Sequence, residues 1–100
     1  MLIALLDFTT AAADRPAALA QLDREREQIR AMPGNLDFRV YASRQDDTRV
    51  AVVHEWEDVS SFMAYQQSES FARSGMVIRP LMTAAPVSRR FAAQLLETVG

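Results

Sequence analysis

Two polar side chains interrupt otherwise apolar segments and are the first candidates for chemistry. Asp7 lies within residues 2–8, LIALLDF, where every other side chain is apolar. A half-buried carboxylate there could serve as a general base, and its structural alternative is an ion pair with an arginine at the end of a strand. His54 alternates with Val52 and Trp56, so the three side chains share one face of a strand. We predict that His54 reaches either a cleft or a subunit interface, unless it is a purely structural histidine.

The residue types that are missing exclude several kinds of catalysis. The chain has no cysteine and one histidine, which excludes thiolate chemistry, iron–sulfur clusters and any metal site with two histidines. All eleven basic residues are arginines, so no lysine is available for a Schiff base or a phosphate-binding loop. We therefore expect neither a metal nor an organic cofactor.

Length, composition and charge predict a single small domain spanning residues 1–100. An apolar fraction of 49% is sufficient for a core. The net charge of −2 argues against a nucleic-acid partner. No apolar run approaches the roughly 20 residues that span a bilayer, and no basic segment precedes the apolar first residues. We expect a soluble, cytoplasmic protein with no membrane partner.

The first half of the chain predicts a strand, a helix and a β-hairpin. Residues 2–8 are apolar on both faces and too short for a stable helix, so they predict a strand. A helix should start at Asp14 as its N-cap and end before Pro33-Gly34. Its inner stripe comprises Leu19, Leu22, Ile29 and Met32, and its charged residues between positions 23 and 30 are expected on a solvated face. Residues 36–43 and 49–56 alternate as paired strands.

The second half predicts two short helices and a final strand. A helix starts at Asp58 or Ser60, with Phe62, Met63 and Gln66 near its inner face, and Ser68 caps the next helix. That helix ends at Arg79-Pro80. From residue 87 onward the composition tolerates either helix or strand, and its position after Pro86 favours a strand.

This order of elements predicts an α+β, ferredoxin-like fold, a four-stranded antiparallel sheet with helices on one face. The first and third strands are then central, and these are the strands that are apolar on both faces. The helices cover only one face, which leaves an apolar surface larger than a monomer normally exposes. We therefore expect a homodimer packed sheet to sheet.

Residues 32–47, MPGNLDFRVYASRQDD, and residues 49–72, RVAVVHEWEDVSSFMAYQQSESFA, resemble the antibiotic biosynthesis monooxygenase superfamily of dimeric α+β barrels. In that family a helix ends in Pro-Gly, an R-V-Y-like strand follows, and the next strand closes with an acidic-Trp-acidic step. The step Glu55-Trp56-Glu57 carries most of the resemblance, which covers roughly residues 1–95.

The resemblance implies a small cleft between the sheet and the second helical region. It also implies oxidation of anthrone-like or naphthol-like rings to quinones by O2, without metal, flavin or haem. The partners would then be a small aromatic molecule and O2. An electron-rich phenolate can itself reduce O2, so the protein has only to enclose the ring, favour the anion and orient the oxygen.

The resemblance places Trp56 in the cleft, where its alternative role is to anchor the core. In the quinone-forming branch an asparagine, a tyrosine and an arginine accompany this tryptophan, and the matching positions here are Val52, Phe62 and, approximately, Met76. These losses make the pocket more apolar and prevent a direct transfer of that branch's mechanism. The histidine that ligates iron in a haem-degrading branch is replaced by Gly75, which argues against haem degradation.

The remaining candidates come from the two helices of the second half. Tyr65 stands where many relatives carry a histidine, and its hydroxyl could bind a substrate phenolate. Arg73 and Arg79 could offset an oxyanion, although both could equally be solvent-exposed. Met63 and Met76, with Met82, either fill the core or line an adaptable pocket.

Three functions remain open from the sequence. The first is a cofactor-independent monooxygenase acting on a small phenolic or polycyclic aromatic molecule, with Trp56, Tyr65, Asp7 and His54 as catalytic candidates. The second is a non-catalytic dimer that binds a hydrophobic ligand in the same cleft. The third is a quinol oxidase, which differs from the first in its substrate.

Overall fold

A computed structural model describes residues 1–100. Its four strands are β1 (Leu2–Thr9), β2 (Asn35–Ala42), β3 (Arg49–Trp56) and β4 (Val87–Ala92). Its α-helices are α1 (Arg15–Arg30), α2 (Val59–Gln66) and α3 (Glu69–Ile78). One-turn 3₁₀ segments precede α1 and follow α3, at Ala12–Asp14 and Arg79–Leu81. No helix combines the length and the apolar character needed to cross a bilayer.

The strands form one antiparallel sheet in the order β2-β3-β1-β4. The predicted ferredoxin-like architecture is confirmed, with β1 and β3 at the centre. Both central strands have neighbours on either side, so their backbone groups are paired within the sheet. The choice of a strand after Pro86 is also confirmed for Val87–Ala92, whereas residues 93–100 form no regular secondary structure.

Alternation along the central strands separates a helix-covered face from an open face. On the covered face, Ala4, Phe8, Val50 and Val52 are almost fully buried with the helices packed over them. The intervening side chains lie on the open face, where they are only partly buried. This face carries apolar residues on the central strands and on the edge strand β4, comprising Ile3, Leu5, Ala51, Val53, Val87 and Phe91.

The turn between α1 and β2 depends on a glycine. Gly34 has a φ of 81°, a left-handed conformation that disfavours other residues. A Cβ atom at this position would also collide with the side chain of Ser61 at the start of α2. Helix α1 thus ends at Arg30, before the predicted Pro33-Gly34 stop, and Gly34 allows α2 to pack closely on the turn that follows.

Both short helices of the second half begin at the predicted caps. The Asp58 carboxylate accepts a hydrogen bond from the Ser61 amide at 2.8 Å, and the Ser68 hydroxyl accepts one from the Phe71 amide at 3.2 Å. The predicted inner face of α2 is partly wrong. Phe62 is buried and Gln66 is half-buried, as predicted, but Met63 is 51% exposed. The helix directs position 65 inward in its place, because residues three apart share a face and neighbours do not.

The charged stretch of α1 is not entirely solvated, contrary to the expectation. Glu25 is only 6% exposed, and its carboxylate accepts a hydrogen bond from Arg73 Nε on α3 at 2.6 Å. Arg73 also donates to Gln28 Oε1 at 3.0 Å. A buried carboxylate requires such a partner. This ion pair fixes α3 against α1 and thereby positions one wall of the pocket described next.

Candidate functional site

A pocket of about 200 Å³ lies between the covered face of the sheet and helices α2 and α3. Strand β1, the three α-helices and the segment after α3 all contribute to its apolar wall. The side chains in this wall are those of Leu6, Leu22, Phe62, Phe71, Ile78 and Met82. Its polar side chains are those of His54, Tyr65, Gln66, Ser74, Arg79, Ser88 and Arg90. A largely apolar cleft with a small number of convergent polar groups is typical of a small-molecule site.

His54 connects the pocket to the buried end of β3. Its Nδ1 accepts a hydrogen bond from the indole Nε1–H of Trp56 at 2.9 Å. In a neutral imidazole one nitrogen carries the proton, so an accepting Nδ1 places the proton on Nε2. Nε2 makes no hydrogen bond within the protein, yet it is not among the fully enclosed polar atoms without a partner. It therefore presents an N–H donor to the cavity.

The environment of His54 keeps the ring neutral. Burial, and secondarily the charge of Arg90, lowers its pKa from 6.5 to about 4. Aromatic rings surround it, with ring centroids of Phe38 and Phe62 at 5.5 and 5.6 Å. At neutral pH His54 is thus a hydrogen-bond donor at Nε2 and has no free lone pair with which to act as a base toward the cavity.

Tyr65 forms a second aromatic wall and carries a second free donor. Its ring stacks on Trp56 with centroids 5.2 Å apart and meets Phe71 edge-on at 5.4 Å. Its hydroxyl makes no hydrogen bond within the protein and is not fully enclosed. Burial raises the pKa of Tyr65 to about 12, so the hydroxyl remains protonated. It can donate to a ligand oxygen.

Two exposed arginines give the pocket a positive charge that no carboxylate offsets. Arg90 lies over the ring of Phe62, with its guanidinium carbon 5.0 Å from the centroid. Arg79 follows α3 and passes beside Gly75, where a Cβ atom would be 3.6 Å from its Nε. Neither arginine takes part in an ion pair, and no Asp or Glu lines the pocket. The local field therefore favours an anion although the chain is acidic overall.

Ser74 also lines the pocket, but its hydroxyl is enclosed by the protein. The residue is 9% exposed, and its Oγ has no hydrogen-bond partner and no exposed surface. Ser70, one helical turn earlier, is also buried without a partner but does not line the pocket. Buried hydroxyls are normally hydrogen-bonded. Neither hydroxyl is exposed to a ligand in the cavity.

The structure brings together four of the nine residues selected from the sequence. His54, Tyr65, Phe62 and Arg79 all line the pocket. Trp56 does not line it, because the indole is fully buried behind Tyr65 and its N–H is used by His54. Trp56 therefore acts on the cavity only through these two residues.

The other four candidates lie elsewhere. Asp7 pairs with Ala51 and Val87 on the open face of the sheet, opposite the pocket, so it is not available as a base for a ligand there. Met63 and Met76 are 51% and 79% exposed and do not line the pocket. Arg73 is outside the lining and is held by Glu25.

Ser74 and Arg90 are pocket residues that the sequence reasoning missed. The signal for Arg90 was the alternation of β4, whose residues 88, 90 and 92 pair with covered positions of β1. For Ser74 the signal was weaker. It lies one turn before Ile78 on the inner face of α3.

The fold is that of a ferredoxin-like α+β protein with a pocket beneath its second helical region. The sequence pattern of the antibiotic biosynthesis monooxygenase family matches residues 1–74. The chain belongs to this family, and the resemblance found in the sequence is confirmed. No curated protein matches the sequence significantly.

Solved structures of distant relatives share the whole fold. A proposed antibiotic biosynthesis monooxygenase from Nitrosomonas europaea superposes with a TM-score of 0.90 at 15% identity, covering 95% of this chain and 100% of that one. A second proposed antibiotic biosynthesis monooxygenase, from Deinococcus radiodurans, superposes with a TM-score of 0.88 at 13% identity over 100% of both chains. A protein from Mycobacterium tuberculosis gives 0.88 at 15% identity, covering 97% and 98%. Identities this low establish the shared fold alone.

Proposed function

We propose that this protein is a cofactor-independent monooxygenase that oxidises a small phenolic aromatic molecule with O2. The observation that carries the proposal is the hydrogen bond from Trp56 to His54. It fixes a neutral N–H donor at the wall of an aromatic cavity. Membership of the antibiotic biosynthesis monooxygenase family supports an oxygenase over other uses of the same cleft.

The size of the cavity limits the substrate. An apolar cavity of about 150 Å³ is sufficient for benzene. A pocket of about 200 Å³ with an open side therefore suits one or two fused rings. The rings of Phe62 and Phe71 and the side chain of Ile78 provide the apolar contacts for such a molecule. A naphthol is the simplest probe of this size.

The donors favour the reactive form of a phenol. A free phenol has a pKa of about 10, and the anion is the form that readily gives an electron to O2. His54 Nε2–H and the Tyr65 hydroxyl can both hydrogen-bond a phenolate oxygen, and the charges of Arg79 and Arg90 stabilise the same anion. No carboxylate or free imidazole lone pair faces the cavity, so the phenol proton leaves to solvent rather than to a protein base.

The reaction balances without a further reductant. The phenolate passes one electron to O2, and the resulting radical pair combines to form a carbon–oxygen bond at the para position of the ring. The hydroperoxide that results loses water and leaves a quinone. For 1-naphthol, one O2 is consumed, one oxygen atom enters the ring and the other leaves as water. The protein holds the ring and stabilises the anion.

Measuring the oxygen consumed when the purified protein oxidises 1-naphthol in air-saturated buffer tests the proposal. We expect the purified protein to accelerate formation of 1,4-naphthoquinone, with one O2 used per quinone and no hydrogen peroxide released. With ¹⁸O2, one quinone oxygen should carry the label. Release of one peroxide per quinol oxidised, without label in the product, would show a quinol oxidase instead.

A binding module is the second candidate, and a specific observation favours it. The pocket lacks a protein base, because Asp7 lies on the opposite face of the sheet. A protein that binds naphthols in a saturable manner, but accelerates the oxidation of neither naphthols nor hydroquinones in air, would be a non-catalytic ligand-binding dimer of the same family.

A further inference from the structure

We propose that the ligand of this pocket is an aromatic acid, with its ring among the apolar side chains and its carboxylate bound by Arg79 and Arg90. This inference rests on the proposed function for the site and adds the charged group that selects the substrate. It follows from two features of the lining, the arginines without an ion pair and the absence of acidic residues.

The two arginines line a pocket that offers them no acidic partner. Of the eleven arginines in the chain, three form ion pairs with carboxylates, at positions 39, 49 and 73. Arg79 and Arg90 come from different elements, the segment after α3 and the strand β4, and still line one pocket. A guanidinium group presents donors that match the two oxygens of a carboxylate.

The polar groups of the pocket differ in exposure. Arg79 and Arg90 are exposed, so a carboxylate bound to them remains partly hydrated and loses little solvation. His54 and Tyr65 are buried, 4% and 8% exposed. A ligand that uses both sets carries a hydroxyl for the buried donors and an anion for the arginines on one apolar ring system.

Calorimetric titration with two matched ligands tests the inference. The first ligand is 6-hydroxy-2-naphthoate, and the second is 6-hydroxy-2-naphthamide, which has the same ring and size without the charge. We expect the acid to bind at least about tenfold more tightly at pH 7, with the difference shrinking as salt is added. Equal affinity of the two ligands for the wild-type protein would overturn the inference.

Substitutions of the arginines locate the effect. Arg79→Gln and Arg90→Gln should each reduce the affinity for the acid about tenfold and leave that for the amide nearly unchanged. Arg30→Gln is the matched control, because Arg30 is an exposed α1 arginine outside the pocket. If all three variants lower the acid's affinity equally, the preference reflects overall charge and the site is not the one proposed.

The test of the inferred ligand can fail independently of the test of the proposed oxygenase activity. Oxidation of 1-naphthol together with equal binding of acid and amide would retain the oxygenase and remove the aromatic-acid inference. An arginine-dependent preference for the acid without any O2 consumption would retain the inferred ligand class and remove the oxygenase.

Discussion

The indole N–H of Trp56 donates to Nδ1 of His54, two residues earlier on the same face of β3, at 2.9 Å. This contact converts a fully buried tryptophan into a positioning residue for the pocket. It fixes which nitrogen of His54 carries the proton and therefore which chemistry the ring offers to a ligand.

Trp56→Phe should release this constraint. Because the chain has a single histidine, ¹⁵N NMR reads its tautomer directly. We expect the wild-type protein to show the Nε2-protonated form at pH 7 and the variant to show a mixture. Oxidation of 1-naphthol per folded molecule should fall more than about tenfold, which corresponds to roughly 1.4 kcal/mol of transition-state stabilisation.

Thermal melting of the same preparation provides the control for this variant. Phenylalanine fills less of the buried site, so some loss of stability is expected. A lower melting temperature with unchanged turnover and an unchanged tautomer would mean that Trp56 serves only the core.

Stability should fall between pH 6.5 and pH 4 because of His54. The folded-state pKa of His54 is lowered from 6.5 to about 4 by burial and by Arg90, so only the unfolded chain binds a proton in this range. The contribution of His54 to the free energy of unfolding is fully present above pH 6.5. It is lost progressively as the pH falls toward 4, by up to about 3 kcal/mol. Denaturant titrations across this range measure the loss.

His54→Asn separates this effect from the titration of carboxylates. The shorter amide can still accept from Trp56 but does not titrate, so its stability should depend less on pH between 6.5 and 4. Parallel curves for the variant and the wild type would show that burial of His54 does not govern the acid sensitivity.

Tyr65→Phe should affect the ligand more than the fold. The hydroxyl has no partner in the protein, and the ring that stacks on Trp56 is retained. We expect a change in unfolding free energy of less than about 0.5 kcal/mol and a roughly tenfold loss of affinity for 1-naphthol. Tyr41→Phe, on the open face of the sheet, is the matched control and should change neither. Loss of affinity in both variants would argue against a direct role of the Tyr65 hydroxyl.

The chain should form a homodimer through the open face of the sheet. Val87 and Phe91 are 57% and 44% exposed there, beside the apolar central positions of β1 and β3. Val53→Glu would place a charge at the centre of this face, so sedimentation should change from dimer to monomer at micromolar concentration. A wild-type protein that sediments as a monomer under the same conditions would refute the prediction.

The amino-acid sequence determined the order of the elements and therefore the sheet. The apolar character of residues 2–8 on both faces, the alternation of residues 49–56 and the Pro33-Gly34 stop are local signals. Each depends on the period of one element or on the conformational preference of one residue. Together with the right-handed crossover rule they fix a four-stranded sheet with β1 and β3 in the centre.

The composition of the site was decided by tertiary structure, because it depends on which face the helices cover and on small rotations of α2 and α3. Alternation separates Asp7 from Phe8 but does not say which of them the helices cover, and the packing left Asp7 on the open face. Successive residues of a helix are rotated by about 100° around its axis. The orientation of α2 therefore decides whether Met63 or one of its neighbours faces the sheet. Alternation within β3 places His54 and Trp56 on one face, but the side-chain conformations that join them by a hydrogen bond are set by the packing around them. The burial of Glu25 against Arg73 and the entry of Arg90 into the pocket require side chains of different elements to meet, which no pattern within a single element specifies.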